Sequence, residues 1–507
     1  MFDFETIVND AKTIPVAISY SNNGLVYFKK LKDEKEAAEF IIINFKKNVT
    51  YYAHNLLFDF FQISNYIIEN YKIDWLYVND NLYAVKIFTS EGLIILKCSY
   101  KLIPFPLKSF YPNLSNKKKI IFDYKKLENW SYDAEEEAEL EKYSIRDSEI
   151  LYEGLGKFFM EIQKLGIKDM RNVYSIGGLS LKLFKKKYNT LSLKNNEFKN
   201  ILKETYLGGR TEVFGNPYAN EIVLHFDFSG MYQQVMMEKL PYGNFKLKKS
   251  SVVDGDGFYW LSANINAKIP NLPIKRDKLM FYNGRVEGWF WSDEIGLLEN
   301  EYEVFWKIYD DNCDHHLKSF INDLNNIKRG GGIKKEIGKL LINAFYGRLG
   351  INEEMVNIQL SKKKSKKVYG VFGNYYVNKI KSVSEKDSNI GVASVITSKA
   401  RAKLYKAFLS IERVGGRLLY CDTDSIFVAF DEKNYTNFLD TQIDEIYFDS
   451  KKEDTVILDA VFAAPKTYAL RLKDKEVVKI KGINNNSLTF QEFKDNFYNK
   501  NNLINLT

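Results

Sequence analysis

The sequence has little cysteine and no long apolar run. Three cysteines, Cys98, Cys313 and Cys421, occur in 507 residues, and no two of them have CxxC spacing. This excludes a disulfide framework and a structural zinc ribbon, and it indicates a reducing compartment such as the cytoplasm. No apolar segment approaches the ~20 residues that cross a bilayer, and the first residues do not resemble a signal peptide, so no membrane contact is expected.

A large excess of either charge is also absent. Lys plus Arg number 73 and Asp plus Glu number 65, which gives a formal net charge of +8 and weakly favours an anionic partner. Apolar residues make up 45% and aromatic residues 15% of the chain. This composition excludes a largely disordered or collagen-like chain, and the length predicts about two to four domains.

Short apolar segments alternate with polar breaks over the first part of the chain, as in an α/β domain. The pattern predicts strands over 13–20, 24–30, 49–55 and 92–100. It predicts helices over 33–45, 58–71, 133–160 and 391–409. It also predicts a strand leading into a helix over 220–235, and a strand, a tight turn and a second strand over 418–430.

Paired carboxylates stand out in the second half of the chain. In YCDTDS, Asp422 and Asp424 are two residues apart, and in extended structure this spacing directs both side chains to the same face. Two such carboxylates repel each other unless a cation lies between them, and Mg²⁺ prefers oxygen ligands of this kind. Asp227, after the apolar segment EIVLHF, is a second candidate ligand. An Asp-rich hairpin turn is the alternative interpretation.

The segment KKEIGKLLINAFYGRLG predicts a helix with one polar face. Lys335, Lys339, Asn343 and Tyr346 lie at i, i+4, i+8 and i+11 and so share that face. Two Lys, an amide and an aromatic ring suit a nucleoside triphosphate. The alternative is a solvated amphipathic helix.

Three segments in this order resemble the polymerase motifs of family B DNA polymerases. DFSGMY, KLLINAFYG and YCDTDS are similar to DxxSLYP, KxxxNSxYG and YxDTDS, and PKTYAL resembles the later KxY motif. In the first half, MFDFET, AHNLLFDF and YSIRDSEIL resemble the DxE, Nx₂₋₃(F/Y)D and Yx₃D motifs of the family's 3′–5′ exonuclease.

Further segments resemble the protein-primed branch of the family, which is found in phages, linear plasmids and related viruses. YLGGR is similar to its YxGG motif. SYKLIPFPLKSF and DYKK resemble exonuclease segments in which a Lys assists catalysis; Lys126 is the counterpart of that Lys, with Lys125 as the alternative. Two insertions beside the fingers, which in this branch contact the terminal protein and DNA, are expected here.

The resemblance implies a multidomain α/β and α+β fold, with an RNase H-like 3′–5′ exonuclease followed by a right-hand polymerase. The expected domains, in chain order, are the exonuclease (1–166), the first part of the palm (167–238), insertion 1 (239–318), the fingers (319–351), insertion 2 (352–388), the second part of the palm (389–485) and a short thumb (486–507).

The resemblance also implies roles for individual residues. The exonuclease metal ligands would be Asp3, Glu5, Asp59 and Asp147, with Tyr143 orienting water and Lys126 assisting. The polymerase metal ligands would be Asp227, the Phe228 carbonyl, Asp422 and Asp424. The nucleotide would contact Tyr232, Lys335, Lys339, Asn343 and Tyr346. DNA would contact Tyr206, Gly208, Gly209, Arg210, Lys466 and Tyr468. The frayed 3′ end would contact Thr6, His54, Asn55, Phe58, Ser99 and Phe105.

The implied function is DNA-directed DNA synthesis, protein-primed, with 3′–5′ proofreading in the cytoplasm of a host cell. Two Mg²⁺ ions are expected in each site, with Mn²⁺ as the alternative ion. The expected partners of a monomeric enzyme are primer-template DNA, dNTPs and a terminal protein. The alternative function is a 3′–5′ exonuclease whose degenerate polymerase half only binds DNA.

The sequence also departs from the family patterns. Gly230 stands where Ser is usual, Gln233 where Pro is usual, and Ala344 where Ser is usual. Asp3 lies two residues from the start, so the first strand is expected to be frayed or the N-terminus to lie upstream. A reverse transcriptase is disfavoured because its catalytic turn reads YxDD, and a non-enzymatic binding module would leave two carboxylate sets unexplained.

Overall fold

The structure is a computed structural model with two compact units. One unit comprises residues 1–189 and 319–388, and the other comprises 190–318 and 389–507. The structure describes residues 1–9, 12–22, 24–129, 133–193, 197–351, 354–361, 368–372, 375–383, 387–439, 456–482 and 488–498. Within these ranges, no helix is both long enough and apolar enough to cross a membrane.

The described residues among the first 189 form two sheets and five α-helices of the first unit. The strands are β1 (Phe2–Asn9), β2 (Lys12–Asn22), β3 (Leu25–Lys30), β4 (Val49–Ala53), β5 (Lys72–Val78), β6 (Asn81–Thr89) and β7 (Gly92–Cys98). The helices are α1 (Glu34–Asn44), α2 (Leu56–Phe61), α3 (Ser64–Asn70), α4 (Ala134–Lys164) and α5 (Ile176–Lys187). The strands form the sheets β1-β2-β3 and β4-β7-β6-β5, in which β4 and β7 run parallel.

Side-chain alternation in β1 explains how one strand both supports the core and carries polar groups. Phe2 and Phe4 are buried in the apolar core, whereas Asp3 and Glu5 alternate with them and point to the other face. Helix α4 begins at an Asp133 cap that accepts hydrogen bonds from the amides of Glu135 and Glu136. Its 31 residues then carry Tyr143 and Asp147, one turn apart, on a buried face.

Residues 190–318 belong to the second unit. The helices are α6 (Lys199–Thr205), α7 (Met231–Met236) and α8 (Ser292–Ile295). The strands are β8 (Thr211–Val213), β9 (Ile222–Asp227), β10 (Leu240–Pro241), β11 (Lys246–Lys249), β12 (Phe258–Ile265), β13 (Ile274–Lys275), β14 (Leu279–Met280), β15 (Gly284–Trp291), β16 (Tyr302–Tyr309) and β17 (Cys313–Asp314). Four of them form the sheet β11-β16-β12-β15, whose core includes Tyr259, Leu261 and Phe290.

Residues 319–388 return to the first unit. They form α9 (Lys318–Arg329), which begins one residue earlier, and α10 (Gly332–Leu349), followed by the sheet β18-β20-β19. Its strands are β18 (Glu354–Ser361), β19 (Val368–Phe372) and β20 (Tyr375–Val383). Gly338 allows α9 and α10 to cross closely, because a Cβ there would lie 2.8 Å from the Lys328 amide nitrogen. Most of the basic segment SKKKSKK, 362–367, lies outside the described residues.

The rest of the chain completes the second unit. The helices are α11 (Ile390–Arg413), α12 (Glu432–Leu439) and α13 (Phe490–Tyr498), and the strands are β21 (Arg417–Asp422), β22 (Ser425–Phe430), β23 (Val456–Ile457), β24 (Asp459–Ala464), β25 (Thr467–Arg471) and β26 (Glu476–Lys479). The central sheet has the order β23-β9-β22-β21-β8, and β24-β25-β26 form a separate sheet. Of the expected thumb, only 488–498 are described.

Candidate active sites

A cavity of about 770 Å³ in the first unit collects the N-terminal carboxylates. Asp3, Glu5 and Asp147 line it, together with Tyr143. Asp59 belongs to the same cluster of interacting charges and is fixed by the backbone of β1, because its Oδ1 accepts a hydrogen bond of 3.1 Å from the Phe4 amide. We call this space the carboxylate cavity. The structure thus brings together the four predicted carboxylates and the predicted tyrosine.

The carboxylates of this cavity are poorly compensated. Burial raises the pKa of Asp3 to about 7, and it also raises the pKa values of Glu5, Asp59 and Asp147. Repulsion from neighbouring carboxylates adds to the increase for Asp3, Glu5 and Asp59. Glu5 Oε1, Asp59 Oδ2 and Asp147 Oδ1 are buried without a hydrogen-bond partner. Buried charges of this kind are stable only when a cation or a proton compensates them.

Lys119, which the sequence analysis did not select, is the lysine that reaches the carboxylates. Its Nζ forms an ion pair with Asp147 and donates a hydrogen bond of 2.8 Å to Tyr143 Oη. Tyr124 hydrogen-bonds the same hydroxyl. No local sequence pattern singles out Lys119, because it reaches the cavity through the packing of Phe122 against the Tyr143 ring, at 5.0 Å.

The prediction for Lys126 is corrected by its position. Lys126 lies in the 3-10 helix Tyr124–Asn129, where its Nζ pairs with Glu139 on the surface, and it does not line the carboxylate cavity. Lys125, the alternative, is exposed and does not line the cavity either. A 3-10 helix turns Tyr124 inward and both following lysines outward, and short helices of this type are hard to recognise in a sequence.

The side chains predicted to hold a frayed DNA end divide into two groups. Thr6, His54, Asn55 and Phe58 line the cavity, and Phe58 is 41% exposed. Ser99 is fully buried, so its predicted direct contact is corrected, whereas the predicted contact of the half-buried Phe105 stays a prediction. Both residues hold His54, whose Nδ1 lies 3.0 Å from Ser99 Oγ and whose Nε2 donates to the Phe105 carbonyl at 2.8 Å. Burial lowers the pKa of His54 to about 4, so the ring is neutral near pH 7.

In the second unit, four neighbouring strands align a row of polar residues. Thr211 of β8 is directly opposite Asp422 of β21, Asp422 is opposite Ser425 of β22, and Ser425 is opposite Asp227 of β9. Residues that are directly opposite each other in antiparallel strands point to the same face, so this register places the predicted Asp227 and Asp422 on one face.

Asp424 lies in the two-residue turn of the β21–β22 hairpin, at the end of this row. Its carbonyl accepts a hydrogen bond of 2.8 Å from the Phe228 amide, which joins the hairpin to the end of β9. Burial raises the pKa of Asp424 to about 6, and the charges of Asp227 and Asp422 act in the same direction. The structure therefore brings the three predicted carboxylates and Phe228 together.

The segment after Asp227 turns sharply into α7, which carries Tyr232. Gly230 caps this helix in the left-handed region, at φ +70°. Glycine adopts this conformation without the strain that a Cβ introduces, which explains the departure from Ser at this position. Gln233 and Ala344, the other departures, have no comparable structural explanation.

The polar face predicted for 334–350 is present on α10 in the first unit. Lys335, Lys339 and Asn343 are exposed, and Tyr346 is half-buried. The opposite face packs against α5, where the Ser180 hydroxyl donates to the Leu341 carbonyl at 2.9 Å. Because α10 is held on one side in this way, its other side presents Lys335, Lys339 and the Asn343 amide to solvent.

The YLGGR segment differs from the prediction at its last residue. Arg210 is only 3% exposed. Its guanidinium binds Glu212, donates to the Pro270 carbonyl at 2.8 Å and lies over the Phe281 ring at 4.1 Å. The predicted DNA contact by Arg210 is therefore corrected to a buried structural contact. Gly208 is exposed, and Tyr206 and Gly209 are half-buried.

Lys466 lies in the turn between β24 and β25, and Tyr468 lies on β25. The Lys466 side chain is 51% exposed, and its Nζ lies 3.8 Å from Asp422 Oδ1. Its amide donates to the Tyr420 hydroxyl at 2.9 Å, and the Tyr468 ring packs against Tyr420 at 5.5 Å. Lys466 thus remains available to a ligand beside the carboxylates.

Both carboxylate groups fit divalent cations by the chemistry of their donors. Within the described parts of the chain, no group of three or more His, Cys, Asp or Glu side chains has the placement needed to hold a metal ion. The fit comes from uncompensated oxygens: three belong to the carboxylate cluster of the first unit, and in the second unit burial, together with repulsion from Asp227 and Asp422, raises the pKa of Asp424. Hard divalent ions such as Mg²⁺ bind oxygen donors of this type.

Comparisons with known proteins agree with these motifs. Residues 108–445 match the model of a family described as DNA polymerase type B, organellar and viral. A probable DNA polymerase of Podospora anserina is 26% identical over 387 residues, which cover 64% of this chain and 32% of that protein. The DNA-directed DNA polymerase of Enterobacteria phage PRD1 is 23% identical, over 85% of this chain and 77% of that protein. The chain spans about a third to a half of the length of the fungal relatives that it matches.

The fold has a similar counterpart among solved structures. The structure of Phi29 DNA polymerase complexed with primer-template DNA has a TM-score of 0.75 to this chain at 19% identity, and it covers 97% of this chain and 94% of that one. At this identity the likeness concerns the fold alone. It confirms the predicted fold class.

Proposed function

The chain belongs to the organellar and viral type B DNA polymerases, and from this membership we propose that it is a DNA-directed DNA polymerase with a 3′–5′ exonuclease. The observation that carries the proposal is the strand row in the second unit, which aligns Asp227 and Asp422 and joins Asp424 to them through the Phe228 amide. A metal-dependent nucleotidyl transfer requires such a convergence of carboxylates.

In the proposed synthesis, Asp227, Asp422, Asp424 and the Phe228 carbonyl hold the cations, and Lys466 and Tyr468 hold the primer strand. The motif resemblance supports the nucleotide contacts: Lys335 and Lys339 neutralise the triphosphate, Asn343 and Tyr346 contact the base, and Tyr232 contacts the sugar. Lysine suits the phosphate contacts because its ammonium group is a compact positive charge. Tyr206, Gly208 and Gly209 contact the template backbone.

In the proposed excision, Asp3, Glu5, Asp59 and Asp147 hold the cations in the carboxylate cavity. Tyr143, fixed by Lys119 and Tyr124, orients the attacking water through its hydroxyl. Burial raises the pKa of Tyr143, so the hydroxyl keeps its proton and can donate it in a hydrogen bond. Thr6, His54, Asn55 and Phe58 hold the 3′-terminal nucleotide, and the exposed Phe58 ring suits stacking on a base.

The proposed cofactor is Mg²⁺, two ions per site, with Mn²⁺ as the alternative. When bound, such ions lower the pKa of the attacking hydroxyl or water and stabilise charge on the leaving group. We further propose priming by a terminal protein, division of the chain into the domains named above, and action in the cytoplasm of a host cell. The resemblance of YLGGR and of the two insertions to the protein-primed branch supports the priming proposal.

The decisive experiment follows a labelled primer annealed to a template with a 5′ overhang, in Mg²⁺, with and without dNTPs. Extension with dNTPs and shortening without them is the expected result. Shortening in both conditions would replace the proposal by an exonuclease with an inactive polymerase half. Neither change, also after addition of Mn²⁺, would contradict both activities on a DNA primer.

A further inference from the structure

The segment Gly209–Thr211 packs directly against the turn that carries the catalytic carboxylates. A Cβ on Gly209 would lie 2.7 Å from Thr423 Cγ2, closer than packed atoms allow, so only glycine fits there. The Arg210 carbonyl accepts a hydrogen bond of 2.8 Å from the Thr423 amide. Thr423 is held at φ +66°, a left-handed conformation that is unfavourable for a β-branched residue. The segment thus supports a strained turn.

Arg210 fixes this segment from the inside. Its buried guanidinium is bound by Glu212 and the Pro270 carbonyl and is covered by Phe281. A side chain held by two hydrogen-bonding groups and an aromatic face cannot swing out without leaving a buried charge uncompensated. The backbone of the segment is therefore a rigid support, although the YxGG resemblance suggested a DNA contact for Arg210.

Thr211 extends this support to a carboxylate. Its Oγ1 donates a hydrogen bond of 3.1 Å to Asp422 Oδ1. The contact follows from register, because Thr211 and Asp422 are directly opposite each other in β8 and β21. Lys466 Nζ, at 3.8 Å, approaches the same oxygen. Among the contacts of the described residues, all those of the Asp422 carboxylate involve Oδ1, and none involves Oδ2.

We propose that Thr211 is a positioning residue that fixes the Asp422 carboxylate through Oδ1 and leaves Oδ2 to a divalent cation. Without the hydroxyl, the carboxylate can rotate about its terminal bond, which has a broad energy minimum, and both oxygens then become interchangeable. The inference rests on the proposed polymerase function, and it adds to that function a residue outside the matched motifs. It also gives YLGGR a second role, the support of the catalytic turn.

The test compares Thr211→Val, which keeps the branched shape without the hydroxyl, with Thr211→Ser, which keeps the hydroxyl. Both are made in an Asp3→Ala/Glu5→Ala background, so that cation binding reports the second unit. Free Mn²⁺ is counted by electron paramagnetic resonance during titration. We expect Thr211→Val to raise the Mn²⁺ dissociation constant about tenfold, as for the loss of a hydrogen bond to a charged group, and Thr211→Ser to restore it.

A kinetic readout accompanies the binding measurement. Thr211→Val should lower kcat for nucleotide addition about tenfold and leave KM for the dNTP within about twofold, because Thr211 is not among the residues proposed to bind the nucleotide. Thr190→Val is the matched control, since this threonine bonds His316 elsewhere in the same unit. It should change neither quantity.

Three outcomes would overturn the inference: an unchanged Mn²⁺ affinity in a folded Thr211→Val protein, a serine variant that does not restore it, or no Mn²⁺ binding by the parent. Failure of the proposed function is a separate result. In that case the parent does not extend a primer, and the difference in Mn²⁺ affinity between the valine and serine variants still decides the role of Thr211.

Discussion

At the scale of single residues, the buried carboxylates of the first unit make the free energy of unfolding depend on pH. The pKa of Asp3 is about 7 in the folded protein against an ordinary value of 3.8, so the folded state keeps a proton that the unfolded chain has lost between these values. The free energy of unfolding contributed by this group therefore falls as the pH rises from about 4 to about 7 and is level above that.

Asp3→Asn should remove this decrease in the free energy of unfolding with rising pH. In EDTA, the variant is expected to lose less stability than the parent between pH 4 and pH 7, and to be the more stable of the two at pH 8. Urea unfolding at several pH values measures the difference. Asp74→Asn, a change of an exposed aspartate paired with Lys86, should leave the pH dependence as in the parent. A parallel decline for parent and Asp3→Asn would contradict the raised pKa.

Lys119 and Lys126 give the second prediction at this scale. Lys119→Met should lower the exonuclease rate roughly 100-fold, because it removes the charge that holds Asp147 and Tyr143. Lys126→Met should lower it less than about twofold, since Lys126 pairs with Glu139 at the surface. The rate of excision of a mispaired 3′ nucleotide is measured for both variants. Equal decreases in this rate would support the original assignment of the catalytic role to Lys126.

Single residues also show what a sequence can reveal about a site. Asp3 and Glu5, or Tyr143 and Asp147, could be recognised because their segments resemble the exonuclease motifs of the family. Lys119 could not, because its position depends on the packing of Phe122 under Tyr143, far along the chain. Arg210 was misassigned because motif resemblance does not reveal burial, which depends on Glu212 and Pro270.

At the scale of elements, strands with strong apolar alternation were predicted well. The predicted segments 13–20, 24–30, 418–430 and 391–409 correspond to β2, β3, the β21–β22 hairpin and α11. β5 and β6 were missed, since their consecutive apolar residues do not alternate strictly with polar ones. The predicted helix over 58–71 is two helices, α2 and α3, because the chain leaves helical geometry at Ile63, with φ −131°.

The connection between β9 and α7 gives a prediction at this scale. Gly230→Ala should lower the free energy of unfolding of the second unit by about 1 kcal/mol, because alanine is strained at φ +70°. Gly208→Ala is the matched control: it lies in the same unit, has no positive φ and would meet no atom within 4 Å. Denaturant unfolding measures both, and equal stabilities would contradict the left-handed conformation.

At the scale of the whole molecule, the two carboxylate sets lie in separate compact units. The predicted fold class is confirmed, whereas the sequence did not reveal that 319–388 fold with the first 189 residues. A sequence pattern reveals only the local period of a strand or helix. Whether a distant segment folds with the first unit depends on tertiary contacts, such as the hydrogen bond from the Ser180 hydroxyl to the Leu341 carbonyl.

This separation predicts independent loss of the two activities. Asp3→Ala with Glu5→Ala should abolish excision and leave primer extension within about twofold, and Asp424→Asn should abolish extension and leave excision, because each change removes a ligand from one unit. Both are measured on the same labelled primer. If either variant lost both activities while remaining folded, the assignment of one activity to each unit would be wrong.

The chain passes from one unit to the other three times, after residues 189, 318 and 388. A single break in the gene therefore cannot yield one unit alone: a product ending at 388 keeps the first unit but also carries 190–318, and one beginning at 190 keeps the second unit but also carries α9 and α10. In a chain built from consecutive domains, one break would separate the domains cleanly. A descendant that kept only one unit through a single truncation would still carry a segment of the other.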